Sequence, residues 1–239
     1  MPVKFNINQA MKLWKENGGE TKFEDSLRDV LKFMQNDKNV SNIDEASYLL
    51  ATAKAESDYS LQRWEADYLC GKQGVPYKDI PCQRAIDYYR SSDGKKNYFD
   101  LGVDKNGMAY FGRGLIQLTG KANYQKYGDL IGVDLVADGD KALEPKNSYK
   151  IASEYLKART WKHIANGDLT MARKSVNGGT KGVDRTNKEF YRWVKVFENP
   201  KVNFKGTKLR RRARRIILIS SIGIALAGIV VLTTLFNKK

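Results

Sequence analysis

YFGRGLIQLTGKANY, from Tyr110 to Tyr124, is the stretch around which the rest of the chain can be read. Leu115 to Thr119 alternates apolar and polar residues. As a short strand it would bury Ile116 and Leu118 and present Gln117 and Thr119 on the opposite side, a small shelf for recognition. Gly112 and Gly114 bracket Arg113, and two residues without side-chain bulk allow a backbone or a ligand to come close. Gly120 then ends the strand. On pattern alone this is equally the description of an ordinary hairpin with a solvated polar face.

Upstream lies a pair of acids, Glu56 and Glu65, in ATAKAESDYSLQRWEADY. Ser41-Asn42-Ile43-Asp44 reads as a helix start with a short acid in the capping-box position, followed by Ile43, Ala46, Leu49, Leu50 and Ala53 at helical spacing. Glu56 then falls in the last turn of an amphipathic helix. Ser57, Asp58 and Ser60 favour leaving the helix, so Glu65 belongs to the following loop. One carboxyl at a helix end among apolar neighbours and another in a more open loop have the unequal surroundings that a general acid and a general base require. In a chain with 27 acidic residues, two glutamates alone read as solvated surface; their partners decide otherwise.

GRGLIQLTGKANY, taken with AES and a second Glu nine residues after its acid, resembles the family 19 chitinase-like glycoside hydrolases, and within them the short-loop endolysins of phages, which degrade peptidoglycan. A third block, Val176-Asn177-Gly178-Gly179 followed by Asp184-Arg185, is similar to that family's late substrate-binding segment. The resemblance runs over roughly residues 5 to 198 and implies a mainly α, lysozyme-like domain of two lobes with a small β-hairpin. It implies that Glu56 is the general acid and Glu65 the general base that activates water. Gln117, Asn123 and Asn177 match sugar contacts, Thr119 matches the hydroxyl that helps hold the attacking water, and Arg185 matches an arginine near the carboxylates, where a fixed positive charge favours an ionised base. The family inverts the anomeric centre, which demands about 6.5 to 9.5 Å between the carboxyl groups to admit a water. This chain has Ala55 where members commonly place His before the acid, and Lys181 where plant-type members carry an acid. The resemblance implies no cofactor and no metal.

At 239 residues with 41% hydrophobic content, the chain can bury one good core. Its formal charge of +15 is unevenly placed: residues 201–239 hold ten Lys or Arg and no acid, leaving 32 basic against 27 acidic residues before them. A modestly basic domain suits an anionic polymer such as peptidoglycan. Met1 to Gly18 lacks the apolar core of a secretion signal. Ile7, Met11 and Trp14 predict a first scaffold helix closed by Gly18-Gly19, and Phe23, Leu27, Val30, Leu31 and Met34 a second. Ile151, Tyr155, Leu156 and Trp161 predict a long helix after a loop with a short helix over residues 126–145, and Phe190, Trp193, Val194 and Phe197 a last one. Cys70 and Cys82 flank a loop and read either as a disulfide or as two free thiols; with one His they are too few for a zinc site of four Cys and His ligands. Tyr88, Tyr89, Tyr98 and Phe99 read as packing or as the lining of a sugar groove.

The tail is of another kind. Ile216 to Phe236 is 21 residues without a charge, about 31 Å as a helix, and matches the thickness of a bilayer's hydrocarbon core. The expected organisation is therefore a catalytic domain over residues 1–200, a basic linker over 201–215, a transmembrane helix over 216–236 and a short tail over 237–239. Lys208 to Arg215, KLRRRARR, precedes the apolar run, and charge bias puts the domain on the cytoplasmic side of the membrane. Its partners would be anionic lipid at the basic run and glycan at the cleft, with nucleic acid the lesser reading of the arginines. Peptidoglycan lies across that membrane, and one resolution is an enzyme carried on the internal membrane of a virion. A chitinase and a catalytically idle glycan-binding membrane protein are the alternatives.

Overall fold

The structure is a computed structural model, described here for residues 1–65 and 102–207. Among these residues the architecture is α-helical: α1 (Ile7–Glu16), α2 (Glu24–Met34), α3 (Ile43–Ser57), α4 (Lys121–Ile131), α5 (Pro145–Arg159), α6 (Trp161–Ala165), α7 (Leu169–Asn177) and α8 (Val183–Glu198), with short 3-10 turns at Gly139–Leu143 and Pro200–Val202. The two cysteines, Tyr88, Tyr89, Tyr98 and Phe99, and the apolar run 216–236 all lie outside the described residues. Among the described residues no helix is long and apolar enough to cross a membrane.

The central element is α3, packed most extensively against α8. Its sequence explains its position. Ala46, Ser47, Tyr48, Leu49, Leu50, Ala51, Thr52 and Ala53 are all fully buried. A helix with no polar face is surrounded on all sides, and here small and large residues alternate so that neighbours approach closely. Its N-cap is Asn42, whose side chain accepts from the Glu45 amide at 3.0 Å, while Glu45 reaches back to the Ser41 amide and hydroxyl. The capping box thus sits one residue later than the Ser41 to Asp44 spacing predicts. At the other end Asp58 turns left-handed, with φ 55°.

α1 and α2 form as predicted, burying Ala10, Met11 and Trp14, and Leu27, Val30, Leu31 and Met34. Trp14 stacks on Trp193 of α8 at 5.7 Å between ring centres, and its indole donates to the buried Glu189, as does the Tyr59 hydroxyl. Three elements therefore meet on one carboxylate inside the core. The long helix predicted through Trp161 ends instead at Arg159. Trp161 starts the separate α6, with its indole donating to the Asn39 carbonyl at 2.8 Å. Of residues 126–145, read as a loop with a short helix, the first six belong to α4, which already begins at Lys121, and α7 has no counterpart in the predicted set.

The two ends of the described residues are held within the fold. The Lys4 amide donates to the Lys205 carbonyl at 2.9 Å and the Lys205 amide returns to Lys4 at 2.7 Å. The Thr207 amide donates to the Ser41 carbonyl at 2.6 Å, beside the N-terminus of α3.

Candidate active site

Glu56 occupies the last turn of α3, as its sequence predicts, and one side of it is set by α7. Arg173 Nη1 donates to Glu56 Oε1 at 2.5 Å, with the arginine side chain 9% and the glutamate side chain 21% exposed. Arg173 is itself fixed, its Nε donating to the Lys181 carbonyl at 3.2 Å. That carbonyl also accepts from the Asn177 side chain at 3.0 Å, and Asn177 Oδ1 accepts from the Gly179 amide. The Asn-Gly-Gly block is therefore a folded loop whose shape holds the arginine against the acid. Thr52 and Tyr48 stand one and two turns behind Glu56 on α3, both buried. Burial raises the Tyr48 phenol well above its ordinary range, against a smaller opposing pull from Arg173, so it stays a neutral hydroxyl.

Glu65 is held by a different piece of chain. Its amide donates to the Gly112 carbonyl at 2.7 Å, and its Oε2 accepts from the Gly112 amide at 3.1 Å. Next to it the Gly114 amide donates to the Arg63 carbonyl at 2.6 Å, so the loop from Arg63 to Glu65 is stitched to residues 112–114.

The predicted strand over residues 115–119 is not formed, and neither is a hairpin of two strands. Residues 113–118 make a tight turn, closed by the Arg113 amide to the Leu118 carbonyl at 3.1 Å and the reverse bond at 2.9 Å. Gln117 is left-handed at φ 53°, which no extended strand contains. Leu115, Ile116 and Leu118 are all buried, so the apolar residues are inside although the period is that of a turn. Gln117 Nε2 donates to the Arg63 and Gly114 carbonyls, both at 3.0 Å, and Thr119 Oγ1 donates to the Gln117 carbonyl at 2.9 Å. A side chain on Gly112 would meet Gln117 Oε1 at 3.1 Å and Thr119 Oγ1 at 3.3 Å. Glu65, Gln117 and Thr119 are thus gathered around one glycine. Asn123, in the first turn of α4, is partly buried and donates from Nδ2 to the Thr119 carbonyl at 2.7 Å.

Arg113 is structural. Its side chain is fully buried, with Nε on Asp140 Oδ1 at 2.9 Å, Nη1 on the Ala109 carbonyl and the Tyr124 hydroxyl, and its guanidinium 3.8 Å from the centre of the Phe111 ring. Burial raises the Asp140 carboxyl above the usual carboxylate range, and Arg113 opposes the rise. The close approach that Gly114 permits is to protein: a side chain there would lie 2.8 Å from Ser148 Oγ and 2.9 Å from the Ala142 carbonyl.

Arg185, expected beside the carboxylates, is exposed in the first turn of α8. The arginine that pairs with the acid is Arg173. The sequence signal for it is weak, a basic residue four positions before Asn177, one helical turn away and so on the same side of α7.

Comparison with known proteins bears on this arrangement. Residues 77–168 match the family model of glycoside hydrolase family 19, described as chitinase class I. This range contains Arg113, Gln117, Thr119 and Asn123 and excludes Glu56, Glu65, Asn177 and Arg185. Over 97 residues the chain is 36% identical to a glycosyl hydrolase family 19 domain-containing protein of Haemophilus influenzae, a match covering 39% of this chain and 45% of that protein. The chain therefore spans less than half the length of this relative. Among solved structures, chitinase C from Streptomyces griseus HUT6037 superposes with a TM-score of 0.53 at 18% identity, over 85% of this chain and 79% of that one. A bacterial family 19 chitinase superposes with a TM-score of 0.50 at 20% identity, over 85% and 98%. The fold of this chain is accordingly that of the family 19 chitinases, and a family 19 sequence match runs through the turn that carries Gln117 and Thr119.

Proposed function

We propose that the protein is a glycoside hydrolase acting on peptidoglycan glycan strands, with Glu56 protonating the leaving glycosidic oxygen and Glu65 activating a water for inversion. The observation that carries this reading is the pair of unlike carboxylates. Glu56 is held by an arginine at a helix end, and Glu65 is held by a backbone amide beside Gln117 and Thr119. Arg173 orients one oxygen of Glu56. The Gly112 amide engages one oxygen of Glu65 and so fixes the carboxylate that would activate the water. Gln117, Thr119, Asn123 and Asn177 would position the sugar and the water, chiefly through the backbone loops they brace. No cofactor enters this chemistry.

Glu56→Gln removes the proton donor at nearly constant volume. It should lower release of reducing ends from purified peptidoglycan by a factor of at least 10³, with the far-ultraviolet spectrum unchanged, an effect in the range of general acid catalysis. Undiminished lysis would remove the assignment. The anomer first released, read by proton NMR within minutes of mixing, tests inversion.

A second reading, hydrolysis of chitin, draws support from the chitinase names of the structural relatives. Chitin oligomers assayed beside peptidoglycan separate the two, and binding without hydrolysis of either would favour an idle glycan-binding protein. The 21 uncharged residues from Ile216 to Phe236 behind KLRRRARR support a membrane tether with the domain on the cytoplasmic side, and with it a lytic enzyme of a membrane-containing virion. Ala227→Arg should move the full chain from the membrane to the soluble fraction of cells. Detection in purified particles tests the virion.

A further inference from the structure

A cavity of about 630 Å³ lies between the end of α2, the end of α4 and one face of α5. It shares no residue with the carboxylate site. Its floor is a rigid polar network. Asp37 Oδ1 accepts from the Asn39 amide at 2.8 Å, and Asp37 Oδ2 accepts from Tyr149 at 2.9 Å and Ser153 at 2.6 Å. Asn39 Nδ2 donates to Ser153 and to Glu154 Oε1 at 2.7 Å. Both acids of the cavity are thereby engaged with protein donors.

The rim carries the opposite charge. Lys38, Lys146 and Lys150 line the cavity and are exposed. None of them has an ion pair or side-chain hydrogen bond among the described residues. Lys146 and Lys150 are one turn apart on α5, so their ammonium groups stand on one side. The wall is apolar, built by Phe33 packed on Tyr149 at 5.6 Å between ring centres and by Leu130, which is 54% exposed. Three unengaged cations over a satisfied floor, with an apolar wall beside them, suit a ligand that carries carboxylates and aliphatic groups together. A neutral sugar polymer offers nothing to the lysines.

We propose that this cavity is a second binding site, for the short carboxylate-bearing peptide branch of the wall polymer. It rests on the peptidoglycan reading above and assigns the peptide, rather than the sugar, to the face between α2, α4 and α5. The site would hold the polymer while the glycan occupies the carboxylates, so affinity would come from a part of the substrate remote from the bond cut.

Binding to the full-length Glu56→Gln protein, measured by calorimetry, tests it with two soluble probes: a disaccharide bearing the peptide and the same disaccharide without it. The peptide-bearing probe should bind more tightly, and Lys146→Glu with Lys150→Glu should weaken it about tenfold, in keeping with two partly exposed ion pairs. Lys146→Gln with Lys150→Gln should do the same to a smaller degree, which guards against misfolding of the reversed variant. In an otherwise wild-type background the Gln pair should leave hydrolysis of peptide-free glycan strands unchanged. Equal binding of the two probes, or binding indifferent to both lysine pairs, overturns the site. Tighter, lysine-dependent binding of glycerol phosphate oligomers would also overturn it, in favour of a phosphodiester polymer. Lysine-dependent peptide binding by a wild type that cuts no glycan sustains the site and removes the hydrolase reading; hydrolysis of peptidoglycan without peptide binding does the reverse.

Discussion

Arg173 makes the acid a directed group. A carboxylate with one oxygen locked at 2.5 Å by a guanidinium that is itself tied to the Lys181 carbonyl can rotate little, and a misplacement of about 1 Å at a catalytic group costs about 10² in rate. Arg173→Ala should therefore lower kcat about a hundredfold with little change in KM. It should also cost about 2 kcal/mol of stability in urea titration, below the range for fully buried pairs because Glu56 keeps some exposure. Arg173→Lys should recover the stability better than the rate, since an ammonium reaches the acid without the guanidinium's geometry. The two glutamates were legible in the sequence because a helix end and a loop are local features. The arginine was not, because its contact with Glu56 spans 117 positions and depends on how α7 packs, which no local spacing encodes.

At the scale of the element, the turn at residues 112–118 was misread for a definite reason. Alternation over five residues is shared by a strand and by a compact turn whose apolar residues are buried on different sides. What distinguishes them is Gln117 in the left-handed region and Arg113 bonded to Leu118 in both directions, neither of which changes the hydrophobic pattern. Gly114 offered the only hint. It is left-handed at φ +76°, and a methyl group there would meet both a hydroxyl and a backbone carbonyl inside 3 Å. Gly114→Ala should lose about 2 kcal/mol or more in equilibrium unfolding, from backbone strain and overpacking together. Arg113→Met should cost about 3 kcal/mol, because it takes the guanidinium from half-buried Asp140 and a donor from the Ala109 carbonyl and the Tyr124 hydroxyl. By contrast α1, α2 and α3 were legible almost whole, their apolar residues falling where packing needs them. α5 was predicted too long because the apolar positions continue in step across its end at Thr160 into α6.

Across the whole molecule, buried tyrosines set an alkaline limit. Burial first, and neighbouring acids next, raise Tyr59 and Tyr149 well above their ordinary value of 10.0. Burial lifts Tyr124 to about 12 against the pull of Arg113. In the unfolded chain these phenols ionise near 10. The unfolded state thus binds fewer protons than the folded one above that point, and the stability they contribute, complete below pH 10, falls as pH rises beyond it. Unfolding followed by circular dichroism should coincide with the rise of tyrosinate absorbance between about pH 10 and 12. Tyr149→Phe should soften that dependence, at the expense of the bond to Asp37.

The closure of Lys4 on Lys205 and of Thr207 on Ser41 fixes where the remaining 32 residues depart. They leave beside the beginning of α3, whereas Glu56 stands thirteen positions further along that helix, about 20 Å away at 1.5 Å per residue. The point at which residue 207 is held and the acid Glu56 therefore sit at opposite ends of one buried helix, so a pull on the chain beyond residue 207 enters the fold at the end of α3 remote from the acid.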